Sequence, residues 1–309
     1  MGVDRQERAS SNPTGVRSVV VGLDGSESSL VALRWAAAQV GPEGRVHAAH
    51  VVPLEDLPLD GEPEDGVHLA LHRADELRGR WIAAAGLDGG DDRLDTVVRE
   101  GEVARELVQI AEDVGADAIA VGHHAQARFG PRVVGHVTAT LLHASDRPVV
   151  VVPLDWTPER TDGRAIAVGV GVAEGTEAAL HWALAQPEAV RSGLLLAHAY
   201  GPRTLFRPEG WLGVIAYYLD PSVLPDWVEQ DMLELATRLE AEAGVDVEVS
   251  VSVESGRTGA RLVAAGTGAS MLVVGRGEPP FIRSHAIAPY LRHAIVHAPC
   301  PVVVVPADR

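Results

Sequence analysis

The sequence predicts an α/β protein in which a parallel sheet covered by helices occurs twice. Three observations support this prediction. Short β-branched runs alternate with longer helical segments, the pattern repeats after about 150 residues, and each copy ends in a valine run flanked by prolines. Strands that alternate with helices of this length are joined by right-handed crossovers, and such strands form parallel sheets.

The first half begins with a β-branched run at 16–23 that ends in glycine and aspartate, which predicts a buried strand. Apolar residues at helical spacing predict a helix over 27–40, which Ser26 or Ser28 can cap. A second apolar run predicts a strand over 45–52. The chain therefore opens as a strand, a helix and a further strand.

The remaining elements of the first half keep this alternation. They are a helix at 65–85, a strand at 94–99, a helix at 103–114, a strand at 116–121, a helix at 133–142 and a strand at 149–152. Gly115 follows the third helix, where glycine is a typical C-terminal residue. Five such strands suit a flavodoxin-like, doubly wound layout with helices on both faces of the sheet. Ligands of these sheets bind beyond the carboxyl ends of the strands, which indicates the turns at Leu23–Gly25 and Val121–Gly122.

The second half repeats the first closely enough to be compared with it. Leu33–Ala36 corresponds to Leu180–Ala183, and Val149–Val152 corresponds to Val302–Val305. A repeat of this length is too long for a solenoid and has the size of a domain. The predicted organisation is a mobile tail at 1–15, a first domain at 16–155 and a second at 165–309. Because exposed apolar edge strands promote aggregation, we also expect the two valine runs to pair in antiparallel fashion.

Charge and cysteine content exclude several classes of function. The formal net charge of −17 disfavours binding to nucleic acid or to an anionic membrane. The lone Cys300 cannot form an internal disulfide, which favours a reducing compartment. No signal peptide and no run of 18 apolar residues is found, so a cytoplasmic location is predicted.

Several local motifs resemble the universal stress protein family in its tandem form. They are Val21–Ser26 at the first strand, His50-Val51 at the second, Gly101 before the third helix, Gly122 after the fourth strand and the Pro-flanked valine runs. The resemblance covers nearly all of residues 16–306. It implies two adenine nucleotide alpha hydrolase-like domains, frequent dimerisation and, in some members, ATP binding through a G-x2-G-x9-G-(S/T) signature. Glycines let the backbone approach phosphates, and a helix N-terminus offers free N–H groups to them.

The resemblance assigns a candidate ATP site to the first half. Carried over position by position, it consists of Asp24, Val51, Val121, Gly122, Ala125, Gly135, His136 and Val137. Ala125 stands where the second glycine belongs, and His136 stands where Ser or Thr belongs. The second half departs further, with Gly171 in place of the aspartate, Glu278 at the second glycine and His285-Ala286 at the final pair. The second site is therefore expected to be degenerate, since a carboxylate near a triphosphate is unfavourable.

Other interpretations of these residues remain open. Asp24 can instead cap the helix that follows it, and Gly122 and Gly135 can be ordinary turn glycines. A metal held by His123, His124 and His136 lacks a known ligand spacing, so Mg²⁺ bridging bound phosphates is favoured. The segment 200–227 holds six of the aromatic residues and is expected to form either a lid over the second site or a partner surface.

These observations predict a nucleotide-responsive stress-response regulator that binds ATP through its first domain. The alternative is a nucleotide-free scaffold that acts through dimerisation and the aromatic segment. The expected partners of the protein are an adenine nucleotide and an unidentified protein. It is also expected to dimerise, either with a second copy or through its own two halves. A weak ATPase would need a base and an oriented water that the sequence does not identify.

Overall fold

Five strands of the first half pair in parallel, as the alternation predicts. They are β1 (Ser18–Gly22), β2 (Arg45–Val52), β3 (Leu94–Glu100), β4 (Ala118–His123) and β5 (Val149–Pro153), in the order β3-β2-β1-β4-β5. Their helices are α1 (Glu27–Gln39), α2 (Val103–Asp113) and α3 (His136–Ala144). The doubly wound class is confirmed, and the order is 3-2-1-4-5 rather than the 2-1-3-4-5 of flavodoxin itself.

The structure is a computed structural model that describes residues 15–53, 79, 81–83, 85–87, 92–123, 133–171, 175–200, 223–244, 246–277 and 287–307. The described residues up to 160 form one compact unit, and those from 161 to 277 with 288–307 form another. Several predicted features lie outside the described residues. They are the tail before Gly15, most of the helix predicted at 65–85, Ala125, His124, Glu278, His285, Ala286 and most of the aromatic segment 200–227.

The second unit has the same strand order as the first. After the short α4 (Pro158–Thr161), its strands are β6 (Ile166–Gly169), β7 (Leu194–Tyr200), β8 (Val249–Ser255), β9 (Leu272–Arg276) and β10 (Val302–Pro306), all parallel and ordered β8-β7-β6-β9-β10. Its helices are α5 (Thr176–Leu184), α6 (Pro187–Ser192), α7 (Val223–Ala243), α8 (Thr258–Gly266) and α9 (Pro289–His297). The internal duplication predicted from the sequence is therefore also a duplication of topology.

The cores are built from aliphatic side chains on the central strands. Val19, Val20 and Val21 of β1 are fully buried, and Ala167 and Val168 of β6 are buried to the same extent. Strands that are covered on both faces have continuous apolar sequences. This explains why these segments show no alternation of polar and apolar residues. The valines of β5 and β10 are buried as well. Their pairing with one another stays a prediction.

Candidate functional site

The turn after β1 joins the sheet to α1 through a network of side-chain hydrogen bonds. Asp24 Oδ1 accepts from the backbone N–H of Ser26 at 2.9 Å and from its hydroxyl at 2.5 Å. Ser26 is the N-cap of α1, and its Oγ accepts from Ser29 N at 3.3 Å. Of the two predicted caps, Ser26 is therefore the one used. Asp24 is exposed and orients that cap, so its carboxylate has a structural role whether or not a ligand binds.

His50, part of the His50-Val51 motif, holds the residue that follows β1. His50 Nδ1 lies 2.8 Å from Leu23 O, and because a carbonyl only accepts, Nδ1 carries the proton. Its ring lies against Trp81, with 5.4 Å between ring centroids. In the second half, His198 Nδ1 makes the same bond to Val170 O at 2.9 Å. The recurrence of a histidine in the equivalent strand of both halves is the sequence signal that could have revealed it.

Gly122 is required by helix packing, which changes how its recurrence is interpreted. A Cβ on Gly122 would lie 2.2 Å from the carbonyl carbon and oxygen of Ser28, in the first turn of α1. Gly275, its counterpart in β9, would meet the carbonyl oxygen of Gly175 at 2.2 Å. Both halves therefore need glycine here so that the helix after the first strand of the half can approach the fourth strand. The glycine supports the fold and carries no independent evidence for a phosphate.

The start of α3 has no side-chain cap among the described residues. Gly135 is its N-cap, with φ −62° and ψ 155°. A Cβ on Gly135 would meet no described atom within 4 Å. The first intrahelical bond runs from Ala139 N to Gly135 O, which leaves the N–H groups of 136–138 without an acceptor inside the helix. Three amides that point out of an uncapped helix start can bind an anion.

The corresponding helix of the second half does not begin at His285-Ala286, the pair assigned to the final positions of the signature. Its first residue is Pro289, with Ala288 as the N-cap. The G-x2-G-x9-G spacing counted from Gly275 also ends at Ala288, so the assignment of His285-Ala286 is wrong. Ala288 and Pro289 therefore correspond to Gly135 and His136. Proline has no backbone N–H, so this helix start has one amide donor fewer than α3. The start of α9 therefore differs from that of α3 by one amide donor, and the degeneracy of the second site stays a prediction.

Sheet register brings most of the predicted site residues to one edge. β1 and β4 are neighbours, and a Cβ on Gly22 would lie 3.4 Å from Val121 Cγ1. Val51 is buried near the end of β2, the neighbour of β1 on its other side. In a doubly wound sheet, a helix that follows a strand starts at the carboxyl edge of that sheet. The α3 start with His136 and Val137 therefore belongs to the edge that carries Asp24 and Gly122.

A match to a family model identifies the protein family of this chain. The model of the universal stress protein family matches residues 15–153 and again 163–306. The chain belongs to the universal stress protein family. No curated protein matches it.

Solved structures show the same fold over almost the whole chain. A universal stress protein from Archaeoglobus fulgidus DSM 4304 is 18% identical, with a TM-score of 0.65 over 95% of this chain and 99% of that one. A protein of unknown function from Pseudomonas aeruginosa PAO1 is 15% identical, with a TM-score of 0.58 over 95% of this chain and 93% of that one. At these identities the comparison supports the tandem universal stress protein fold.

The described part of the chain shows no metal cluster and no membrane-spanning helix. Within it, no group of three or more His, Cys, Asp or Glu side chains could hold a metal ion. His123 is buried at the end of β4, and His136 is exposed at the start of α3. No helix of the described part of the chain is long and apolar enough to cross a membrane.

Proposed function

We propose that the first domain binds ATP at the carboxyl edge of its sheet and that the protein acts as a nucleotide-responsive stress regulator. The observation that carries the proposal is the contrast between two equivalent helix starts. α3 begins after Gly135, where a Cβ would meet no described atom within 4 Å, whereas α9 begins at a proline. Membership of the universal stress protein family is consistent with the proposal.

Each proposed contact follows from the chemistry of its position. The amides of His136 and Val137 would donate to phosphate oxygens, and the positive end of the helix dipole would favour the negative charge. Asp24 and Val51, at the ends of β1 and β2, would flank the adenosine. The local donors must act against a net charge of −17, so Mg²⁺ is proposed to accompany the triphosphate. Ala125 is proposed to lie beside the phosphates, following the family signature.

The proposal is tested by adding a carboxylate at the helix start. Gly135→Asp would cap α3 through its own first-turn amides and would place a negative charge where the phosphates bind. We expect ATP affinity, measured by calorimetry, to fall at least tenfold while thermal stability stays equal or rises. Gly122→Glu is unsuitable as a test because it would disrupt the contact with α1.

The matched control is Ala288→Asp at the equivalent position of α9. It adds the same cap and the same charge to the second half, so ATP affinity should not change. If Gly135→Asp binds ATP as the unaltered protein does, the phosphate site is not at α3. If the unaltered protein shows no binding at millimolar ATP, the proposal fails and the nucleotide-free scaffold becomes the better account.

The proposal also covers the location, the oligomeric state and the partner of the protein. The protein is proposed to act in the cytoplasm, as a homodimer or as a pseudo-dimer of its two halves, with a protein partner that responds to the nucleotide state. Size-exclusion chromatography with light scattering, with and without ATP, measures the oligomeric state directly. A mass that corresponds to one chain under both conditions would leave the pseudo-dimer as the only form.

A further inference from the structure

Two histidines lie side by side on the exposed face of α9. His293 and His297 are four residues apart, and their ring centroids are 4.4 Å apart with 48° between the ring planes. Both residues are exposed. Residues at this spacing are neighbours on a helix surface. Small side-chain rotations could therefore bring one nitrogen of each ring to the separation of about 3 Å that two adjacent ligands require at metal–nitrogen distances near 2 Å.

The helix that carries the pair is held in place on its other face. Leu291, Ala294 and Ile295 of α9 are buried in the second unit. A Cβ on Gly259 of α8 would lie 2.8 Å from the Cβ of His293, so the two helices approach closely at this point. This close approach restricts where the His293 ring can turn. A pair on a fixed backbone loses less conformational freedom when a ligand binds than a pair on a mobile loop.

Electrostatics at this end of α9 favour a cation. His297 is the last residue of the helix, at the negative end of the helix dipole. The net charge of the chain is also strongly negative. Arg292 is exposed next to His293 in the sequence and acts in the opposite direction. The dipole is the nearer favourable contribution, because the helix ends at one of the two imidazoles.

We propose that His293 and His297 form a surface site for a divalent transition metal, with Cu²⁺ bound most tightly. Imidazole is a good ligand for copper, nickel and zinc, and the order of affinities among these ions places Cu²⁺ first. No group of three metal-binding side chains is found among the described residues. The proposed site uses one nitrogen from each imidazole, and water completes the coordination. Such a partly hydrated site suits Cu²⁺, whereas a structural zinc site has four protein ligands.

The first half provides an internal comparison. α3 and α9 both have nine residues, and the positions that correspond to His293 and His297 are Thr140 and Ala144. Neither side chain is a ligand of this class. The proposed metal site therefore has no counterpart on α3, and it lies on a different helix from the proposed nucleotide site.

The test is a Cu²⁺ titration of the full-length protein, followed by calorimetry and by electron paramagnetic resonance. His68 and His72 have the same spacing in the part of the chain that is not described, so His68→Gln/His72→Gln is the background for all measurements. In that background, His293→Gln and His297→Gln should each lower Cu²⁺ affinity at least tenfold. Each should also remove the coupling of one nitrogen ligand from the electron paramagnetic resonance spectrum. His181→Gln removes an exposed histidine on α5 that has no histidine four residues away, and it should leave affinity unchanged.

Two results would overturn the proposal. One is unchanged Cu²⁺ affinity in both glutamine variants on α9. The other is an equal loss in His181→Gln, which would indicate unspecific binding to surface histidines. Circular dichroism in the presence of a chelator verifies that each variant is folded, and the His297 variant decides the question if His293→Gln is disturbed by its contact with Gly259.

Discussion

At the scale of single residues, the two halves share a histidine that holds the end of the first strand. His50 and His198 each donate from Nδ1 to the carbonyl of a residue just beyond that strand. Because both copies keep this bond although their helix starts differ, it serves the fold of the domain. Asp24 has no such counterpart, since Gly171 replaces it and the Thr176 hydroxyl bonds to Gly171 instead.

We expect His198 to make the free energy of unfolding depend on pH. Burial lowers the pKa of His198 below its usual 6.5, and the hydrogen bond to Val170 partly opposes that shift. The folded state thus binds the proton less tightly than the unfolded state. The contribution of neutral His198 to the free energy of unfolding is fully present above about pH 6.5. It is lost as the pH falls towards the lowered pKa of the folded state. We expect His198→Asn, which keeps a donor at the δ position, to flatten this dependence between pH 7.5 and 5 in urea unfolding.

The comparison must be made against the unaltered protein, because a second histidine contributes with the same sign. Burial also lowers the pKa of His47, with Asp95 raising it and Arg45 lowering it further. Some pH dependence should therefore remain in the His198 variant. Identical slopes for the two proteins would show that His198 does not contribute.

At the scale of elements, contact between strand and helix explains which glycines recur. Gly122→Ala would force its methyl group into the backbone of α1, so we expect a loss of about 1–3 kcal/mol in the free energy of unfolding. Gly41→Ala is the control, since a Cβ there meets no described atom within 4 Å, and its effect should stay within about 0.5 kcal/mol. Equal effects of the two substitutions in chemical denaturation would contradict this account.

The caps of α2 and α8 allow a reciprocal test. Glu102 caps α2 by accepting from Ala104 N and Arg105 N, whereas Arg257 is the N-cap of α8 and makes no such bond. Glu102→Ala should cost about 1 kcal/mol, and Arg257→Glu should stabilise the second unit by up to about 1 kcal/mol. Thermal unfolding measures both changes. A loss of stability in Arg257→Glu would show that the arginine has a role that its cap position does not reveal.

At the scale of the whole molecule, the asymmetry of the two helix starts predicts a binding stoichiometry. If α3 binds ATP and α9 does not, calorimetry should give one ATP for each chain. Ligand at a hundred times its Kd should add about 2.7 kcal/mol to the stability of the first unit only. Differential scanning calorimetry would then show one transition moving while the other stays. A stoichiometry of two would mean that the proline start of α9 does not prevent binding.

The sequence predicted most of the fold because its signals are local. The boundaries of β2 were predicted to the residue, and those of α1 and α2 to within one residue. Larger differences arise where the signal is weak. Apolar residues begin at Ala116, but β4 starts at Ala118, and α3 starts at His136 instead of 133 because Gly135 serves as its cap.

By itself, the sequence determined the duplication, the parallel α/β class and the family, since apolar periodicity and repeated motifs are properties of the chain order. Only the tertiary structure decided why Gly122 and Gly275 recur, because the contact with α1 or with Gly175 joins residues far apart in the chain. The start of α9 at Pro289, after Ala288, agrees with the signature spacing counted from Gly275 and was therefore within reach of the sequence. The physical reason for the difference is that spacing is a property of chain order, whereas a close backbone approach depends on how a helix packs against a strand.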